Sequence, residues 1–212
     1  AFECGVRTES DLQTDDTPLR KQVALDFRRA TFLDCNPFLA AISFTGALTT
    51  ENLQHRNDQK PSSELPEEQD LEQLCKNATE QYFSLVGLWN SELKEIESFL
   101  FQNSANGAEA RKCFEELKMR FLQAFKSSVK VPDFSLIRIL RIALKEEIKA
   151  KKNAENQAIP SFFSMSYSFL EKCKEIEDHL LVIFDKFSES KLPLLKAKLN
   201  LRTFNDLQTL VA

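Results

Sequence analysis

Residues 71–100 read LEQLCKNATEQYFSLVGLWNSELKEIESFL. Within them Leu71, Cys75, Ala78, Tyr82, Leu85, Trp89, Leu93, Ile96 and Leu100 recur at steps of three or four. Eight steps span these residues at about 3.6 per step, the period of an α-helix and not the alternation of a strand. A single long helix with one apolar face is expected here. Gly87 is tolerated inside it at a cost of about 1 kcal/mol.

The pattern continues downstream. Asn103 to Gly107 reads as a turn. Ala110, Phe114, Leu117, Phe121, Ala124 and Phe125 mark a second helix. Val131-Pro132-Asp133 ends it and starts a third, with Ile137, Leu140, Leu144 and Ile148 expected inward. Pro160 opens a fourth, carrying Phe163, Leu170, Cys173, Leu180, Phe184 and Phe187. Its first part, Phe163 to Phe169, also alternates with period two, but no partner strand is visible elsewhere, so a helix is expected. Two short helices are expected near Lys191–Leu199 and Thr203–Val211.

Upstream, residues 1–16 are polar and acidic and read as an arm. Thr17-Pro18 and Asn36-Pro37 are helix starts, each a capping side chain followed by Pro at the first helical position. Residues 51–69, with His55, Pro61 and Pro66, read as a loop. The expected organisation is an arm with two short helices over 1–65, packing on a helical bundle over 66–212 within a single domain. Short turns force antiparallel neighbours, so the fold class is all-α, a four-helix up-and-down bundle with extra short helices at both ends.

Composition agrees with this class. Four Gly and seven Pro in 212 residues leave little turn chemistry for a sandwich or barrel. Phe outnumbers Tyr and Trp together, 18 against three, so the core rings mostly lack a polar handle. A net charge of -4 argues against a generic nucleic-acid binder. The longest uncharged runs, 35–50 and 156–170, are too short for a transmembrane segment.

Catalytic signatures are absent. The chain holds no GxSxG, GxxxxGK[ST], GxGxxG or CxxC. A di-iron bundle would need Glu three residues before His, and Ile176 stands three before His179. Neither cofactor nor metal is expected, and the chain reads as a non-enzyme. Glu146-Glu147 reads as part of a solvated helix face, not as an acid/base pair.

Charge is unevenly placed. Residues 1–129 carry 14 basic and 21 acidic groups, whereas 130–212 carry 14 and 11. Arg138, Arg141, Lys145, Lys149 and Lys152 form a candidate basic face for a partner, with solvation balanced by Glu146 and Glu147 as the alternative. Phe38, Ile42, Phe44, Phe163 and Tyr167 lie in the two uncharged runs and form a candidate apolar seam.

The chain begins Ala1-Phe-Glu-Cys4 with no initiator Met, so a mature chain released from a signal peptide is expected. Cys4, Cys35, Cys75, Cys113 and Cys173 are then candidates for two disulfides and one leftover thiol, with connectivity open. Asn77-Ala-Thr79 is a candidate glycosylation sequon. The expected protein is secreted and works by binding another macromolecule, a receptor or a host or partner protein. The alternative is a carrier of a small apolar or lipid-like ligand in a Phe-lined cavity.

Overall fold

The structure, a computed structural model, describes residues 11–13, 16–33, 37–43, 46–56, 71–103, 107–126, 132, 134–152, 158–199 and 201–203. The described elements are helices, apart from a three-residue parallel pairing of β1 (Asp11–Gln13) with β2 (Leu201–Thr203) in register Leu12↔Arg202. The helices are α1 (Thr17–Phe32), α2 (Pro37–Ile42), α3 (Thr50–Arg56), α4 (Leu71–Ser91), α5 (Leu93–Asn103), α6 (Gly107–Lys126), α7 (Phe134–Lys151) and α8 (Ser161–Lys198), with a 3-10 turn at Gly46–Leu48.

Backbone contacts sort the chain into two compact units, neither of them one run of sequence. The first comprises Ala1–Cys35, Gly46–Leu65 and Leu180–Ala212. The second comprises Asn36–Thr45 and Pro66–His179.

In the first unit α1 packs on α3 and turns Leu19, Val23, Ala24 and Phe27 inward, positions spaced for one helical stripe. The Phe27 ring meets Phe184 edge-on at 5.1 Å and also contacts Phe187 and Phe32. Asp16, not Thr17, takes the N-cap position of α1, and its carboxylate binds Arg20 at 2.7 Å. Arg56 grips Asp185 through two hydrogen bonds of 2.9 and 3.0 Å, the fork geometry that makes Arg–carboxylate pairs strong. The Arg28 guanidinium donates to the Leu48 carbonyl.

The expected loop at 51–69 begins as α3 instead. The Thr49 hydroxyl accepts the Asn52 N–H at 3.4 Å, and buried Leu53 anchors the turn. His55 is therefore an exposed helical residue. The rest of that segment lies outside the described residues.

In the second unit α5, α6 and α7 pack pairwise on one another. Trp89 of α4 sits in a nest of rings. It stacks on Phe121 at 4.6 Å and 10°, and it touches Phe114 at 5.7 Å and Phe162 at 5.4 Å. Seven residues before Trp89, Tyr82 meets Phe169, seven residues after Phe162, at 6.0 Å. The shared seven-residue step in opposite directions makes α4 and the start of α8 an antiparallel, heptad-registered pair.

Three expectations on helix ends are corrected. The helix expected to run unbroken over 71–100 is interrupted at Glu92, while Gly87 lies inside α4 as expected. Its hydrogen-bond ladder carries on across the bend, Glu92 N–H to Leu88 at 2.9 Å and Ile96 N–H to Glu92 at 2.8 Å. The Glu92 carboxylate meanwhile accepts the Phe162 N–H at 2.8 Å, capping the first turn of α8. A carboxylate there satisfies an otherwise orphaned donor and suits the helix dipole. Second, the separate helix expected near 191–199 is the continuation of α8, which runs through Pro193 at the loss of one ladder bond. Third, Thr203 lies in β2, and the remainder of the expected last helix is outside the described residues.

Candidate functional site

The sequence FSLIRILRIALKEEIKAK makes α7 amphipathic, and the packing shows which face is free. Leu136, Ile137, Ile139, Leu140, Ala143, Leu144 and Ala150 are buried. Arg138, Arg141, Lys145 and Lys149 are exposed on the opposite face, and Lys152 is exposed just past the helix end. Ile148, expected inward, is 47 % exposed, and Ile142, six residues earlier, is 37 % exposed. The signal was present in the spacing: Ile148 follows Arg141 by seven residues and Lys145 by three, which places it on the cationic stripe.

The five cations differ in what holds them. Arg141 donates to Glu177 of α8 at 3.0 Å. Lys149 donates to Glu146 at 2.7 Å and lies 3.9 Å from Glu109 of α6. The Glu146 hydrogen bond and charge hold the Lys149 ammonium above its ordinary value. The Arg138, Lys145 and Lys152 side chains make no ion pair among the described residues.

Glu146 and Glu147 are not the solvated partners expected of them. They are 5 % and 4 % exposed. Helical rotation sets them on the stripe with Ala143 and Ala150, so their carboxylates leave water. Glu146 is met by Lys149 through one oxygen, and its second, buried oxygen has no hydrogen-bond partner among the described residues. Glu147 accepts a long hydrogen bond of 3.5 Å from the Tyr167 hydroxyl. Burial pushes the Glu147 carboxyl above its ordinary 4.5, with Lys151 and Tyr167 acting more weakly the other way.

This has a consequence for stability. A carboxyl whose folded-state value is raised favours folding below its unfolded value of 4.5 and loses that contribution as pH rises through the folded value. Glu147→Gln, which never ionises, is therefore expected to gain stability relative to the parent chain as pH goes from about 4 to about 7. Urea denaturation followed at both pH values checks this; a difference that stays flat with pH would refute it.

The candidate seam divides. Phe38 and Ile42 of α2 and Phe163 of α8 are buried. Phe38 faces Phe169 at 6.2 Å, whereas Phe163 packs on Phe99 at 5.6 Å and Phe162 at 5.5 Å. Tyr167 is 39 % exposed and its hydroxyl is turned to Glu147. Phe44 lies outside the described residues. The Phe38 and Phe163 rings meet other rings, in the edge-on and tilted geometries of a packed core.

Cys75, Cys113 and Cys173 are buried, and no disulfide joins them to one another. Cys4 and Cys35 lie outside the described residues, so the expected pair of disulfides finds no support among the described ones. Burial, reinforced by Glu146 and Glu116, pushes the Cys113 thiol up to about 12. Burial and Glu177 do the same to Cys173, also to about 12. Both stay protonated at neutral pH and behave as small apolar groups.

Asn77 is half-buried within α4, where its side-chain oxygen accepts from Gln73 at 2.8 Å. The Thr79 hydroxyl of the same sequon donates to the Cys75 carbonyl at 2.7 Å. Among the described residues no helix is long and apolar enough to cross a membrane, and no group of three or more His, Cys, Asp or Glu is placed to hold a metal ion. No family model matches the chain, and neither does any curated protein or solved structure.

Proposed function

We propose that this chain is a non-enzymatic helical protein that works by binding another protein, and that the outer face of α7 is the contact surface. The observation that carries the reading is the pairing of three cations that make no ion pair among the described residues, Arg138, Lys145 and Lys152, with two half-exposed isoleucines, Ile142 and Ile148, along the outer side of α7 and its end. A purely solubilising face needs no aliphatic groups in water. An interface uses them for burial and uses the surrounding cations to steer and orient an acidic partner.

The scaffold we propose beneath this face is the up-and-down bundle of α4 with α5, α6, α7 and the first part of α8. Its support is the opposed heptad register of α4 and α8 and the matched ends of α6 and α7, where Glu109 lies near Lys149. An extracellular setting belongs to the same proposal. Thiol labelling of unfolded, unreduced protein tests it, because five labelled cysteines would count against secretion through an oxidising compartment.

The contact surface is tested by charge reversal. Arg138→Glu, Lys145→Glu and Lys152→Glu together are expected to weaken capture of the partner at least tenfold, with unchanged helical circular dichroism. Photo-crosslinking from position 148 in the parent chain identifies the captured protein. Retained binding in the triple variant would remove α7 from the contact.

A further inference from the structure

The spacing of the free cations specifies what shape the partner has, and this inference rests on the reading that α7 binds protein. Arg138, Lys145 and Lys152 stand seven residues apart. Arg138 and Lys145 lie on α7, and Lys152 directly follows its last residue, Lys151. On a helix, seven residues rotate to within about 20° of the starting direction, so the three charges continue one near-straight column. At 1.5 Å per residue, successive charges are about 10.5 Å apart. In sequence Ile142 and Ile148 fall between them, and around the helix they flank the column on opposite sides, about 120° apart. Arg141 is engaged by Glu177 and Lys149 by Glu146, and exposed Lys151 lies about 100° around the helix from Lys152, so the uncommitted charge on this face is a line and not a sheet.

We propose that this column receives an acidic amphipathic α-helix laid along α7, with carboxylates at seven-residue spacing opposite Arg138, Lys145 and Lys152 and aliphatic side chains closing over Ile142 and Ile148. An incoming helix repeats the same spacing on one face. An extended segment does not: about 10.5 Å is close to three residues of strand, and an odd step turns successive side chains to opposite sides. An anionic membrane would engage a broad basic surface with deep apolar anchors. This face offers a single row of free charge and two isoleucines without an aromatic ring.

The test uses the full chain and four probes at about 0.1 M salt, where exposed charges more than about 10 Å apart are screened from one another. The first is a helical peptide of three heptads with Glu at every seventh position and Leu between. The second has the same composition with the Glu positions scrambled. The third is the first peptide broken by two central prolines. The fourth is vesicles containing phosphatidylserine. The registered helix is expected to bind at least tenfold more tightly than the scrambled or the proline-broken peptide by calorimetry. Ile142→Ser with Ile148→Ser should reduce that binding at least fivefold, whereas Arg141→Gln should change it less than twofold. Equal affinity for the registered and scrambled peptides would overturn the helical partner and leave the acidic-protein reading standing. Binding to vesicles alone, or to none of the probes, would overturn both.

Discussion

Trp89→Ala is expected to lower the unfolding free energy of the unit that contains it by about 3–5 kcal/mol, the range for deleting a buried large aromatic side chain. The residue is buried and serves three neighbours at once. It lies flat on Phe121, and it meets Phe114 from the same helix and Phe162 from α8. Removing the indole leaves a cavity bordered by three rings drawn from α6 and α8, and rings cannot fold inward to close it. A domain holds only about 5–15 kcal/mol in total, so this one change removes a large share of it. Trp89→Phe keeps a ring in the nest and should cost markedly less than the alanine variant. Far-ultraviolet circular dichroism in urea is the appropriate readout, because Trp89 is the sole tryptophan and the variant has no indole fluorescence. An alanine variant within 1 kcal/mol of the parent would show that the ring nest is not the centre of that core.

The second large effect belongs to the other unit. Phe27→Ala is expected to cost about 3–5 kcal/mol, again as a buried ring deleted among rings. Phe27 joins α1 to the later part of α8 through Phe184 and Phe187. Arg56 with Asp185 forms the other tie between early and late segments in that unit. The charge pair is partly buried, its gain is offset by desolvation, and it contributes less than the ring burial. Amide exchange along α1 and α3 should rise sharply in Phe27→Ala, and Phe27→Leu should restore most of the protection. Unchanged exchange in the alanine variant would assign the stability of α1 to contacts other than Phe27.

Much of the fold was legible from spacing alone. The apolar steps of 71–100, the Phe and Leu positions of α6 and the start of α8 after Pro160 all appear where the 3.6-residue period puts them. The misreadings share a cause. Glu92 looks like any solvated helix glutamate, and only the arrival of α8 seventy residues later makes it a cap and a bend. Lys191–Leu199 reads as a separate short helix, yet α8 continues through it and through Pro193. Glu146 and Glu147 read as surface charge because Glu ordinarily is, yet rotation of α7 sends them inward. The candidate face was half legible. Its cations were visible as a run, but which of them are free depends on Glu177, carried by α8, and on the turn of α7 that brings Glu146 against Lys149.

By itself the chain determined its helical class and the stripes along its helices, because hydrophobic periodicity and cap residues act within a few residues of one another. Tertiary structure decided the rest: where α4 gives way to α5, which carboxylates are buried, and which cations of the candidate face remain uncommitted among the described residues. Those outcomes depend on groups that meet only after distant segments pack. A side chain's burial and its partners belong to the assembled interior, and no local pattern encodes them.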